Sequence, residues 1–78
     1  MDRIIELLNK LHPEYDYRAS DDFVSDGLID SIDLQELFAM LEDEFEIELA
    51  GTDLTPQNFR NLASIKELLA DHGIELDD

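Results

Sequence analysis

The tetrapeptide "DSID" places the hydroxyl of Ser31 between the carboxylates of Asp30 and Asp33. It stands immediately before the longest run of helically spaced apolar residues in the chain. A serine at such a point can cap the helix, because Ser and Asp oxygens accept the unpaired backbone N–H groups of a first turn. It can also act as a nucleophile or accept a covalent group. The rest of the sequence decides among these roles.

Hydrolysis by Ser31 requires a base within hydrogen-bond reach and a third group that orients the base. The imidazoles of the chain are His12, before Pro13, and His72, at the end of the last predicted helix. Nothing in the spacing brings either ring to Ser31, and a chain of 78 residues leaves little room for a substrate pocket. We therefore expect no catalytic residues and no enzymatic activity of its own.

The acidic loop before Ser31 invites comparison with a calcium-binding loop. With Asp22 at the first position, Asp26 and Gly27 fall at the fifth and sixth positions. Val24, however, occupies the third position, and Asp33 stands at the twelfth instead of a bidentate Glu. The chain also has no cysteine, so it offers no thiolate ligand for zinc. We expect no metal site.

The charge balance limits the possible partners. The chain has 21 acidic and 5 basic residues, a net charge of −16, and 44% of its residues are apolar. Such a surface repels nucleic acid and anionic lipid and attracts basic protein patches, while the apolar content indicates a folded domain. No apolar block is long enough for a signal peptide or a membrane span. We expect a cytoplasmic monomer with one domain over residues 1–78.

Apolar periodicity predicts a first helix that ends before Pro13, followed by a long ordered loop over residues 14–29. The second helix is predicted from about Ser31 to Phe45. The apolar residues expected to hold the loop against the core are Phe23, Val24, Leu28 and Ile29. The apolar residues expected on the buried stripe of the second helix are Leu34, Leu37, Phe38, Leu41 and Phe45.

Two further helices are predicted towards the carboxyl end. "LTPQNF" predicts a short helix with Thr55 as N-cap and Pro56 in the first helical position. Ser64 and Glu67 have the spacing of a capping box, and Gly73 is a natural helix stop. The fold class is therefore all-α, a small four-helix bundle with three main helices and one short helix.

The segment "FVSDGLIDSIDLQELFAMLEDEFEIEL" resembles the central part of acyl and peptidyl carrier proteins. In that family an Asp-Ser-aliphatic triplet opens an acidic, apolar-striped helix that ends in a Glu-rich turn. "LTPQNF" followed by "LASIKELL" is similar to the family's third and fourth helices, so the resemblance extends over nearly the whole chain. It implies an acyl-carrier-protein-like bundle.

The resemblance implies that a separate phosphopantetheinyl transferase attaches 4′-phosphopantetheine to Ser31, with coenzyme A as donor. Asp30 and Ile32 would lie beside the attached group, and Ser31 would be both helix cap and anchor. A phosphodiester suits a helix N-terminus, where N–H groups are unpaired and the helix dipole is positive. The absence of cysteine agrees with a thiol that arrives on a cofactor.

The expected function is a discrete acyl carrier that holds an acyl or aminoacyl group as a thioester. It would deliver this cargo to partner enzymes of fatty-acid-like, polyketide or nonribosomal peptide biosynthesis. The order Gly27-Leu28-Ile29 is closer to stand-alone carriers and D-alanyl carrier proteins than to fatty-acid carriers. A D-alanyl carrier for cell-envelope modification is therefore one alternative. An acidic helical adaptor without a prosthetic group is another, from a different class.

The second helix is expected to present a band of small apolar side chains, Ile32 among them, bordered by carboxylates beside Ser31. In the family, partner enzymes present Arg and Lys patches to this helix, and such a band suits transient complexes because rim charges accelerate encounter. The residues of this expected docking band are Asp33, Gln35, Glu36, Ala39, Met40, Glu42 and Asp43.

Overall fold

The computed structural model describes residues 2–75. It contains the α-helices α1 (Asp2–Leu11), α2 (Ser31–Phe45) and α3 (Leu62–Asp71), and the short 3-10 helices Tyr17–Ala19 and Gly51–Asp53. Residues 2–75 contain no β-strand. The predicted all-α bundle is confirmed. Among these residues, no helix has the length and apolar character needed to cross a membrane.

Helices α1 and α2 pack antiparallel. At one end the Arg3 guanidinium donates to the Glu44 carboxylate at 2.9 Å and lies 4.4 Å from the centre of the Phe45 ring. At the other end His12, which follows α1, contacts Asp33 in the first turn of α2. The apolar face of α1 is buried between these two contacts. The packing therefore brings the end of α1 beside the "DSID" segment.

The bounds predicted for α2 are confirmed. Four of the five stripe residues are buried, and Phe38 is half-buried. The helix ends at Phe45, and the left-handed backbone of its C-cap, Glu46 (φ 53°), turns the chain so that the Ile47 N–H also bonds to the Glu42 carbonyl. A non-glycine residue in this conformation carries a cost of about 1 kcal/mol. Leu49, beyond the turn, donates its N–H to the Glu42 carboxylate at 3.0 Å.

The loop between α1 and α2 is ordered, as predicted. Phe23 and Ile29 are buried, whereas Val24 and Leu28 are half-buried. The Phe23 N–H bonds to the Arg60 carbonyl at 2.6 Å, which ties the loop to the segment before α3. The side chains at 23 and 29 therefore anchor the chain as it enters α2.

The sequence did not predict the 3-10 helix Tyr17–Ala19. Tyr17 is buried, its hydroxyl donates to the carbonyls of His12 and Leu8 at 2.9 and 3.3 Å, and its ring meets Phe23 edge-on at 5.3 Å. Burial raises the pKa of Tyr17 to about 12. This tyrosine fixes the chain just after α1.

The prediction of a short helix that begins after Thr55 is wrong. Residues 55–60 form turns, in which the Thr55 carbonyl accepts from the Asn58 N–H and the Pro56 carbonyl accepts from the Phe59 N–H. The extended backbone of Asn61 (φ −155°, ψ 176°) interrupts any continuation into α3. The hydrogen bonds of two isolated turns do not offset the free-energy cost of helix nucleation.

The predicted cap of α3 is also wrong. Asn61, not Ser64, is the N-cap, and its Oδ1 accepts from the Ser64 N–H at 2.8 Å. Asn is as strong an N-cap as Ser, and its amide also donates to the Asp21 carbonyl at 3.0 Å. The predicted stop at Gly73 is confirmed, with φ at 83°.

Candidate functional site

The centre of the candidate site is the DSID turn, residues 30–33. Asp30 is the N-cap of α2, and its Oδ1 accepts from the Asp33 N–H at 2.9 Å. In return, Asp33 Oδ2 accepts from the Asp30 N–H at 3.2 Å. This reciprocal pair is a capping box in which Asp takes both positions.

The expectation that Ser31 caps α2 is therefore wrong. The extended backbone of Asp30 (φ −113°, ψ −172°) is the conformation of an N-cap, and Ser31 is the first helical residue. Because the Asp30 carboxylate supplies the cap, the Ser31 hydroxyl is not used for it. A side chain in this position is available for chemistry without loss of the cap.

Ser31 is exposed, and its neighbour Ile32 is 66% exposed. The N–H groups of Ser31 and Ile32 belong to the first turn of α2, where no preceding helical carbonyl lies within reach. Such N–H groups, together with the positive end of a 15-residue helix, favour an anionic group. The DSID turn thus combines an accessible hydroxyl with an environment suited to a phosphate.

The other serines offer a comparison. The Ser20 hydroxyl donates to the Asp26 carboxylate at 2.6 Å, and the Ser25 hydroxyl donates to the Asp22 carboxylate at 3.2 Å. Ser64, in the first turn of α3, is half-buried. Ser20 and Ser25 therefore have structural uses within their loop.

The structure brings His12 to the DSID turn, which sequence spacing did not indicate. His12 Nε2 lies 2.9 Å from Asp33 Oδ2, and Nδ1 lies 3.8 Å from a Glu14 carboxylate oxygen. The hydrogen bond with Asp33, helped by the charges of Asp33, Glu14 and Asp30, raises the pKa of His12 above its ordinary value despite some desolvation.

The pKa of the Asp33 carboxyl is shifted in the opposite direction. Its partial burial, the largest single influence, pushes the pKa upward, but hydrogen bonds from His12 and from the Asp30 N–H outweigh it. The pKa of Asp33 is therefore held below its ordinary value. The result is a charged pair, with imidazolium facing carboxylate, at weakly acidic pH. The second histidine also lies beside a carboxylate, with His72 Nε2 3.1 Å from Asp53 Oδ2.

A carboxylate of the acidic loop before α2 forms hydrogen bonds within the loop itself. Asp22 Oδ1 accepts from the N–H groups of Ser25 and Val24 at 3.0 and 3.2 Å. The Ser25 N–H is the main reason that the pKa of Asp22 is lowered, with a smaller opposing effect of desolvation. Within residues 2–75, no group of three or more His, Cys, Asp or Glu side chains could hold a metal ion.

The residues of the expected docking band differ in accessibility. Glu36 and Asp43 are exposed, as are Gln35 and Ala39, and Met40 is half-buried. Two of the predicted carboxylates have internal hydrogen bonds instead. Asp33 bonds to His12 as described, and Glu42 bonds to the Leu49 N–H.

Comparison with known protein families identifies the family of the chain. A family model described as "phosphopantetheine attachment site" matches residues 3–70, so the chain belongs to this family of acyl- and peptidyl-carrier-like proteins. Its members are non-catalytic carriers, and the domain is the site of covalent 4′-phosphopantetheine attachment. No match was found among curated proteins or among solved structures.

Proposed function

We propose that Ser31 is the residue to which 4′-phosphopantetheine is attached, and that the chain is a discrete carrier of acyl or aminoacyl groups. The observation that carries this proposal is the position of Ser31: an exposed hydroxyl in the first position of α2, with the cap supplied by Asp30. Ser31 also lies within the residues that the family model matches.

The DSID turn fits the prosthetic group chemically. The Ser31 hydroxyl would lose its proton and bond to the phosphorus that carries the pantetheine arm of coenzyme A, while the pyrophosphate bond breaks and adenosine 3′,5′-bisphosphate leaves. The resulting phosphodiester would suit the unpaired N–H groups of the first turn of α2. The negative charge of Asp33 is offset by His12 at weakly acidic pH, which reduces repulsion of the phosphodiester. The group supplies the terminal thiol that this cysteine-free chain lacks, and that thiol forms the thioester with the cargo.

The partners of such a carrier are a phosphopantetheinyl transferase and enzymes that load or transfer the cargo. Their proposed docking surface consists of the exposed members of the docking band, which carry charge at Glu36 and Asp43, together with the half-buried Met40. Ile32 extends this surface to the attachment serine. Enzymes with basic patches are the complementary partners.

The pathway that we propose is fatty-acid-like, polyketide or nonribosomal peptide biosynthesis. The order Gly27-Leu28-Ile29 also favours a D-alanyl carrier as a second candidate. Intact mass of the protein purified from its native host would distinguish them, because the excess over 9.0 kDa reports the arm and its cargo together. An excess equal to the arm plus one alanyl group, released by hydrolysis as D-alanine, would favour the second candidate.

The attachment site is tested with coenzyme A and a transferase of broad specificity. The native chain should gain the mass of one arm, and Ser31→Ala should gain none. Ser25→Ala is the matched control, since it removes another exposed hydroxyl and should be modified as the native chain is. An unmodified native chain would favour an acidic adaptor without prosthetic group, and full modification of Ser31→Ala would exclude Ser31.

A further inference from the structure

We propose that His12 is a positioning residue for the DSID turn, which it holds against the end of α1 through the Asp33 carboxylate. This inference rests on the proposed role of Ser31. It concerns how the serine is presented to the transferase and assigns no contact between His12 and the reacting atoms.

The Asp33 carboxylate joins two parts of the fold. The same oxygen, Oδ2, accepts from His12 Nε2 at 2.9 Å and from the Asp30 N–H at 3.2 Å. The carboxylate is also the more buried member of the pair, with its side chain 16% exposed against 34% for His12. Loss of the His12 contact therefore leaves a largely buried oxygen with one donor fewer, which loosens the capping box that precedes Ser31.

His12 is itself held in place. Its N–H donates to the Leu8 carbonyl at 3.0 Å, and its carbonyl accepts from the buried Tyr17 hydroxyl at 2.9 Å. The imidazole ring also packs 5.5 Å from the Tyr15 ring. These contacts fix the backbone of His12 against α1 and the core. The His12 ring can therefore hold the Asp33 carboxylate in place.

The strength of this contact depends on pH. The groups that face the ring are the carboxylates of Asp33, Glu14 and Asp30 and the ring of Tyr15. Below the raised pKa of His12 an imidazolium faces the Asp33 carboxylate, and above it a neutral imidazole donates to that carboxylate in a weaker hydrogen bond. The DSID turn is thus held most firmly at weakly acidic pH.

The test compares transferase kinetics of the native chain, His12→Gln and His12→Ala at about pH 6 and about pH 8.5. If the competent turn is populated only part of the time, the KM for the carrier rises while kcat is unchanged. We expect His12→Ala to raise KM by about two- to fivefold at the lower pH. His12→Gln keeps a neutral donor, so its KM should equal that of the native chain at the higher pH and exceed it at the lower pH.

His72→Gln is the matched control, because it alters the other His–Asp pair, between the second 3-10 helix and the end of α3. Its KM should equal the native value at both pH values. The proposal is overturned if His72→Gln reproduces the effect, since general stability would then be responsible. It is also overturned if His12→Gln is modified faster than the native chain, since the ring would then act through docking charge.

Amide hydrogen exchange supplies a readout that needs no transferase. The Asp30 N–H, which donates to Asp33 Oδ2, should exchange about two- to fivefold faster in His12→Ala than in the native chain, and unchanged exchange would refute the positioning role. If the native chain accepts no arm, the proposed function fails, and this exchange rate alone decides the role of His12.

Discussion

Replacing Asp30 by alanine removes the N-cap of α2 and leaves the Ser31 hydroxyl in place. The lost contact is the 2.9 Å hydrogen bond from the Asp33 N–H, a capping interaction of about 1 kcal/mol. The negative charge beside the positive helix end adds a few tenths of a kcal/mol, reduced by solvent screening because Asp30 is exposed. The other half of the box survives, since its donor is the backbone N–H of residue 30.

We therefore expect Asp30→Ala to lower the free energy of unfolding by about 1 to 1.5 kcal/mol. For a domain of this size that loss corresponds to a fall in Tm of about 5 to 10 °C. Asp30→Asn keeps the acceptor oxygen and should cost only a few tenths of a kcal/mol. Ser31→Ala should stay within about 0.5 kcal/mol of the native value, because Ser31 is not the cap.

Urea denaturation followed by circular dichroism at 222 nm measures these differences. Asn61→Ala provides a positive control, because Asn61 caps α3 through an equivalent hydrogen bond of 2.8 Å. If Ser31→Ala costs as much as Asp30→Ala, the serine is the cap and the account of the DSID turn is refuted.

Three further outcomes are expected. Glu36→Lys should slow modification by the transferase by about two- to tenfold and weaken the salt dependence of the rate. Glu75→Lys is the control and should have little effect on the rate. Equal slowing by both variants would mean that only the net charge of the chain matters. Tyr17→Phe should lower the free energy of unfolding by about 1 kcal/mol, because the His12 carbonyl loses the hydroxyl that donates to it; an unchanged urea midpoint would contradict this. The stability difference between the native chain and His12→Gln should be largest at weakly acidic pH. It should shrink as pH rises through the raised pKa of His12 and as pH falls through the lowered pKa of Asp33, and urea midpoints at several pH values measure it.

The sequence predicts α2 well because two signals agree there. The apolar stripe from Leu34 to Phe45 has the helical period, and an Asp-Ser pair precedes it. The sequence does not indicate whether Asp30 or Ser31 is the N-cap, since Asp and Ser cap helices equally well. That choice depends on the backbone of Asp30, which the loop anchored by Phe23 and Ile29 delivers in an extended conformation.

The remaining differences come from contacts between residues distant in the chain. His12 and Asp33 are 21 residues apart, and only the antiparallel packing of α1 on α2 brings them together. The spacing of Ser64 and Glu67 matches a capping box and so favours Ser64 as the cap, whereas Asn61 also bonds to the distant Asp21 carbonyl. Local pattern cannot weigh such tertiary contacts.

The Arg3 contact with Glu44 and Phe45 has a consequence for motion within the bundle. Together with the His12 contact at the opposite end, it fastens α1 to α2 at both ends. The polar contacts of α3 run instead to connecting segments, from Asn61 to Asp21 and from His72 to Asp53. We therefore expect the backbone N–H groups of α1 and α2 to exchange as one cooperative unit, because contacts at both ends join the two helices.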